Sequence, residues 1–299
     1  MRLLRRAAKR DCYPKSLPVG NFLNCIQMLF AFKKTMKTMP SITYPENEKE
    51  KLLALGALFD DWHSCFVSGG ESLTNQVADD MVFDGFHPNY FSQKTKILFV
   101  GREALQIAGE NSIDLIYQVY RDGKRVGAQH LNQHLFHSRM LYIAYGILRG
   151  MPELKEIPYA SEIGDYFASP EGISFAFMNI SKMSNESESW QADWSAINAA
   201  HSISSQGRKF NEEEIALLEP DVVITMNLGE KISSLGELKS LNGLDCMPRV
   251  FELSSRGHRS LLIDTWHFSA PKKDSILEYY VPICNLLRQF GPDFGLKFE

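Results

Sequence analysis

Three polar residues stand where apolar runs end. Glu103 follows "KILFVGR", Asn179 closes "GISFAFMN" and His267 follows "SLLIDTW". A carboxylate favours a neighbouring positive charge and can orient water, and carboxylates perturbed by their surroundings cluster at functional sites. A carboxamide offers one acceptor and two donors, so Asn179 can bond two adjacent groups on one edge of a heterocycle. An imidazole donates a hydrogen bond to an oxygen as negative charge collects on it, which stabilises charge where it develops.

Such groups work only if a frame brings them together. Residues 94–101, 172–182, 221–227 and 260–266 are apolar runs and predict buried strands. Helical spacing fills the stretches between them. Over 46–67, Leu52, Leu55, Phe59, Trp62 and Phe66 recur at three- and four-residue steps. Further helices are expected over 131–150, closed by Gly150, and over 211–220, with Asn211 as N-cap and acids in the first turn. A closing helix over 274–291 is expected to kink at Pro282, and 249–253 reads as an edge strand. Apolar strands alternating with helices predict an α/β fold, a three-layer α/β/α sandwich. Its mainly parallel four-stranded central sheet is expected near 97–101, 174–179, 221–226 and 261–266. Ligands of such sheets bind beyond the carboxyl ends of the strands. Gly101-Arg102-Glu103, Asn179 to Lys182, residues 227–229 and His267 to Ser269 all fall there.

Composition narrows the function classes. At 44% hydrophobic and 23% charged residues, the 299-residue chain has the make-up of a globular protein. No apolar run reaches the roughly 18 residues of a membrane helix. The five cysteines are scattered, form no CxxC pair and read as reduced thiols of a cytoplasmic protein. The net charge is −4, yet residues 1–38 hold nine Lys/Arg against Asp11 alone. Residues 1–40 are therefore expected to be a basic arm or an upstream extension, and 41–299 a single domain. No GxGxxG, GxxxxGK[ST] or GxSxG occurs, which argues against dinucleotide, P-loop and α/β-hydrolase chemistry. His130, His134 and His137 have helical spacing but lack the glutamate of HExxH, so no metal is expected. With Arg121, Lys124, Arg125 and Arg139 they are expected to line the mouth of a site or touch DNA.

The order of motifs resembles the uracil-DNA glycosylase superfamily. The match runs through "ILFVGREAL", "FAFMNISK", "LEPDVVITMNLG" and "TWHFSAP", across roughly residues 80–290. The loop Gly101-Arg102-Glu103-Ala104-Leu105 lacks the family's proline, and Phe268 stands where proline is usual. These departures set the chain outside the well-known branches. The resemblance implies a monofunctional DNA glycosylase that removes a flipped-out uracil or modified pyrimidine, in repair or in defence against modified phage DNA. Glu103 would serve the sugar cation and the water, and His267 the base oxygen. Asn179, Gly101, Arg102 and Tyr117 would hold the base, with Tyr117 or Tyr120 either stacking on it or packing in the core. Lys182, Arg256, His258, Arg259, Ser269 and Lys272 would meet phosphates. Phe268 would wedge into the duplex or pack inward. A monomer with DNA as partner, no cofactor and no membrane contact is expected. The alternative is a glycosylase-like protein that binds DNA or nucleotide without cutting it.

Overall fold

The computed structural model describes residues 39–298, apart from 70–72, 74–75, 188–190, 205–206 and 244–246. The expected basic arm lies outside the described residues but for its last two. The chain is an α/β protein built on a seven-stranded mixed sheet. Its strands are β1 (Gly85–Phe86), β2 (Ile97–Gly101), β3 (Ala176–Asn179), β4 (Val222–Met226), β5 (Glu237–Ser240), β6 (Arg249–Ser255) and β7 (His258–Thr265). They lie in the order β1-β3-β2-β4-β7-β6-β5. The four expected strands form the parallel centre, β3-β2-β4-β7. Antiparallel additions at both sides make up the seven, with β1 on β3 and the β5-β6 pair on β7. The segment expected as an edge strand is β6, which has a neighbour on each side. The true edges, β1 and β5, are too short or too exposed to stand out in the sequence.

Alternation along the strands sends side chains to opposite faces. Leu98, Val100, Met178, Val223 and Leu262 join one apolar cluster. Helices α1 (Lys49–Gly69), α5 (Trp194–Ser204) and α6 (Phe210–Leu218) contribute to it. Ile97, Phe99, Phe177, Ile224 and Ile263 join a second cluster. That cluster includes residues of α2 (Ser112–Gln118), α3 (Leu135–Leu148), α4 (Ala160–Asp165) and α7 (Val281–Phe290).

Local differences from expectation have simple causes. Helix α3 starts at Leu135, after a turn over 131–133 that follows the small ladder of Arg125–Val126 with Gln129–His130. Asn211 lies within the first turn of α6 and donates to Ser234 Oγ, while Lys209 holds the cap position. Pro282 falls where a π-turn over Ile276–Tyr280 passes directly into α7, so the helical run of 276–290 changes its pitch at the proline, which cannot donate a backbone hydrogen bond. Among the described residues no helix is long and apolar enough to cross a membrane.

Candidate active site

Register sets the first pair of residues side by side. Gly101 and Asn179 are partners across β2 and β3. A Cβ at position 101 would overlap Asn179 Oδ1, so glycine is what lets the carboxamide sit against the neighbouring backbone. Asn179 is buried and its carboxamide makes no hydrogen bond among the described residues. Its backbone is pinned on both sides. The N–H donates to Asp84 Oδ2 at 2.8 Å, and the carbonyl accepts from Lys182 Nζ at 3.0 Å.

Lys182 is fully buried, 2.7 Å from Asp84 Oδ1 and 2.7 Å from Glu214 Oε2. Its ammonium also lies 5.0 Å from the Trp62 ring centre. Burial opposes its charge, but the two carboxyls outweigh burial and raise its pKa. Burial first, then Asp84, pushes Glu214 well above the carboxylate range. Lys182 is therefore an internal brace under Asn179 and has no surface from which to meet a phosphate.

Glu103 lies in the loop after β2. Its Oε1 accepts from Asp193 N at 2.8 Å and Asn185 Nδ2 at 3.2 Å. Burial raises its pKa, against the pull of these donors and of Arg102. Arg102 is half-buried, with its guanidinium 5.8 Å from the Trp194 ring centre.

His267 begins the loop after β7. Ser269 N–H donates to its Nδ1 at 3.2 Å, which leaves the ring proton on Nε2. Burial, then the charge of Arg102, lowers its pKa to about 4. The ring is thus neutral at pH 7. Tyr279 Oη and Ala270 N both donate to the His267 carbonyl. Arg139, buried in α3, donates to the carbonyls of Phe268, Ala270 and Lys273 and to Ser275 Oγ. It fastens the loop from inside and does not reach the mouth of the site. Phe268 is wholly buried against Phe99 and Tyr279, so it packs inward and is no wedge.

Glu103, Asn179, His267, Arg102 and Ser269 all line one cavity of about 590 Å³ at the carboxyl edge of the sheet. Asn185, Phe136, Phe177, His134 and His137 line it too. Of these, the histidines fell on an expected mouth. Asn185 and the two phenylalanines escaped notice, since nothing in an apolar strand or helix marks the one ring that turns to a cavity. His137 Nδ1 lies 2.9 Å from Tyr120 Oη, and burial lowers its pKa to about 3. Tyr120 is buried, and Tyr117 packs on the core away from the cavity lining.

Arg256, His258 and Arg259 lie elsewhere. The β6-β7 hairpin turns at Arg256 and Gly257, both at positive φ. His258 therefore opens β7, and at about 3.3 Å per residue it is roughly 23 Å from the end that carries His267. It donates to the Pro220 carbonyl before β4. Arg256 pairs with Glu213 and Arg259 with Glu252. All three belong to the amino edge of the sheet, opposite the cavity. Lys272 is exposed, three residues after Ser269.

A larger cavity of about 980 Å³ lies between Tyr142, Tyr145 and residues 154–173, but none of the four parallel strands ends there. Among the described residues no cluster of three His, Cys, Asp or Glu could hold a metal. No family model matches the chain, and no curated protein is similar to it in sequence.

Proposed function

We propose that the chain is a DNA glycosylase of the uracil-DNA glycosylase type, with the helices and sheet forming a three-layer α/β/α sandwich around a parallel centre. One observation carries this reading. A carboxylate, a free carboxamide and a neutral imidazole arrive from three separate strand ends and line one cavity. A pyrimidine flipped out of the stack would enter it, as enzymes acting on bases require.

Asn179 would bond the polar edge of the base. His267 Nε2–H would donate to the base oxygen as the glycosidic bond breaks and its electron pair passes to the base. Glu103, close to where the sugar would lie, favours the positive charge at C1′ and orients water. The water oxygen bonds C1′, one of its protons passes to Glu103, and the departing base takes a proton from solvent. A raised carboxyl pKa makes Glu103 a better base for that step. Ser269 in the lining and exposed Lys272 three residues on would meet phosphates. No metal or cofactor enters this chemistry. We take the protein as a cytoplasmic monomer acting on DNA, in repair or in defence against modified phage DNA.

The test is a panel of oligonucleotides carrying uracil, mismatched bases and modified pyrimidines, scored for abasic sites. At least one should be cleaved, and Glu103→Gln should lower that cleavage by 100-fold or more while DNA binding persists. Binding without cleavage of any base would favour a protein that holds flipped bases without cutting. Equal cleavage by Glu103→Gln and the parent would remove Glu103 from the mechanism.

A further inference from the structure

The polar groups described above occupy only part of the cavity. Leu105, Ile107, Leu115, Ile116, Val119 and Val126 also line it. All six come from one excursion between β2 and α3, residues 104–126, which also brings Ser112 and Arg125 to the lining, and together the six make a largely aliphatic wall. A bare pyrimidine such as uracil has few atoms to set against it. Even if each of its eight non-hydrogen atoms is allowed the share of a water in the liquid, about 30 Å³, the base needs only about 240 Å³. That is less than half of the roughly 590 Å³ present. Sugar and phosphate can meet Arg102, Arg125 and Ser269 at the lining, but they are poor occupants of the space against the six aliphatic side chains, which return none of their hydrogen bonds. Water is a poor occupant for the same reason, since a held water needs two to four polar partners. A hydrocarbon group suits the space.

We infer that the preferred substrate is a pyrimidine bearing an apolar substituent, which lies along the 104–126 wall while the ring's polar edge faces Asn179 and His267. This rests on the base-binding reading of the same cavity and adds its substrate class. Each buried methylene is worth about fourfold in affinity, so a short alkyl chain is enough to separate substrates.

The experiment uses three oligonucleotides that differ at one base: uracil, 5-hydroxymethyluracil and 5-pentyluracil. Binding is measured with the full chain carrying Glu103→Gln, and base release with the unaltered chain. The pentyl base should bind at least tenfold tighter than uracil, and the hydroxymethyl base no tighter than uracil. Leu105→Asn, at a side chain 48% exposed and so replaceable without hollowing the core, should bring the pentyl-to-uracil affinity ratio down by about tenfold. Uracil bound as tightly as the pentyl base would overturn the inference and leave the base-binding reading in place. So would a ratio that Leu105→Asn leaves unmoved. Failure to bind or cleave any of the three would bring down the reading, and the inference with it.

Discussion

At the scale of the residue, His267 is set up as a donor and not as a charge. Ser269 N–H occupies Nδ1, and burial with the nearby Arg102 holds the ring neutral down to about pH 4. A neutral Nε2–H can stabilise a developing oxyanion without a proton first being lost. His267→Ala should slow base release by roughly 10²–10³, about 2.7–4 kcal/mol, the usual cost of one such donor. Single-turnover rates on a cleaved substrate check this, with DNA affinity held as control. A rate within threefold of the parent would mean that the ring serves the loop and not the base. The pH dependence belongs to Glu103. Its pKa is raised, so its charge is lost at a higher pH than for a free glutamate. The rate should therefore fall on the acid side with a midpoint above the ordinary value of about 4.3, and stay level toward neutral.

At the scale of the element, the end of β3 is fixed by charge buried beneath it. Lys182, Asp84 and Glu214 are all shielded from solvent. Removing one partner from a buried pair leaves a lone charge, at a cost of roughly 3–5 kcal/mol. Asp84→Asn takes away the carboxylate that holds both Lys182 and the Asn179 N–H. It should destabilise the chain by about 3 kcal/mol or more in urea. Glu214→Gln should cost under about 1 kcal/mol, because burial and Asp84 already hold that carboxyl toward its neutral form. Similar losses from both variants would show that Glu214 carries charge. This brace was not legible in the sequence. Asp84, Lys182 and Glu214 lie far apart along the chain, and "NISK" looks the same whether its lysine points out or in. The strand ends were legible, because four apolar runs have to stop at one edge of a parallel sheet. The near edge could be read and the far edge could not. Seeing that Arg256 and Gly257 form a tight hairpin requires knowing that β7 begins at His258, three residues before its apolar stretch opens at Leu261.

At the scale of the whole molecule, buried imidazoles tie stability to pH. His87 is enclosed by Phe167 and Phe175 and donates from Nδ1 to the Phe175 carbonyl. Burial lowers its pKa from 6.5 to about 4. Between about pH 6.5 and 4 the unfolded chain binds protons that the folded chain refuses. The stabilisation is therefore whole above pH 6.5 and drains away as the pH falls toward 4, on the order of 3 kcal/mol for His87. Urea denaturation at pH 7, 5.5 and 4.5 should show this decline, and His87→Gln should reduce its slope. A flat profile over that range would mean that water reaches this ring.

Arg139 has a mechanical consequence. It grows from α3, the helix that also presents Phe136 and His137 to the cavity, and it grips the loop that carries His267. Helix α3 and the histidine loop are thus held together as one piece. The histidine cannot swing aside unless the first turns of α3 swing with it, and Tyr120, 2.9 Å from His137 Nδ1, ties those turns to the stretch 104–126 as well.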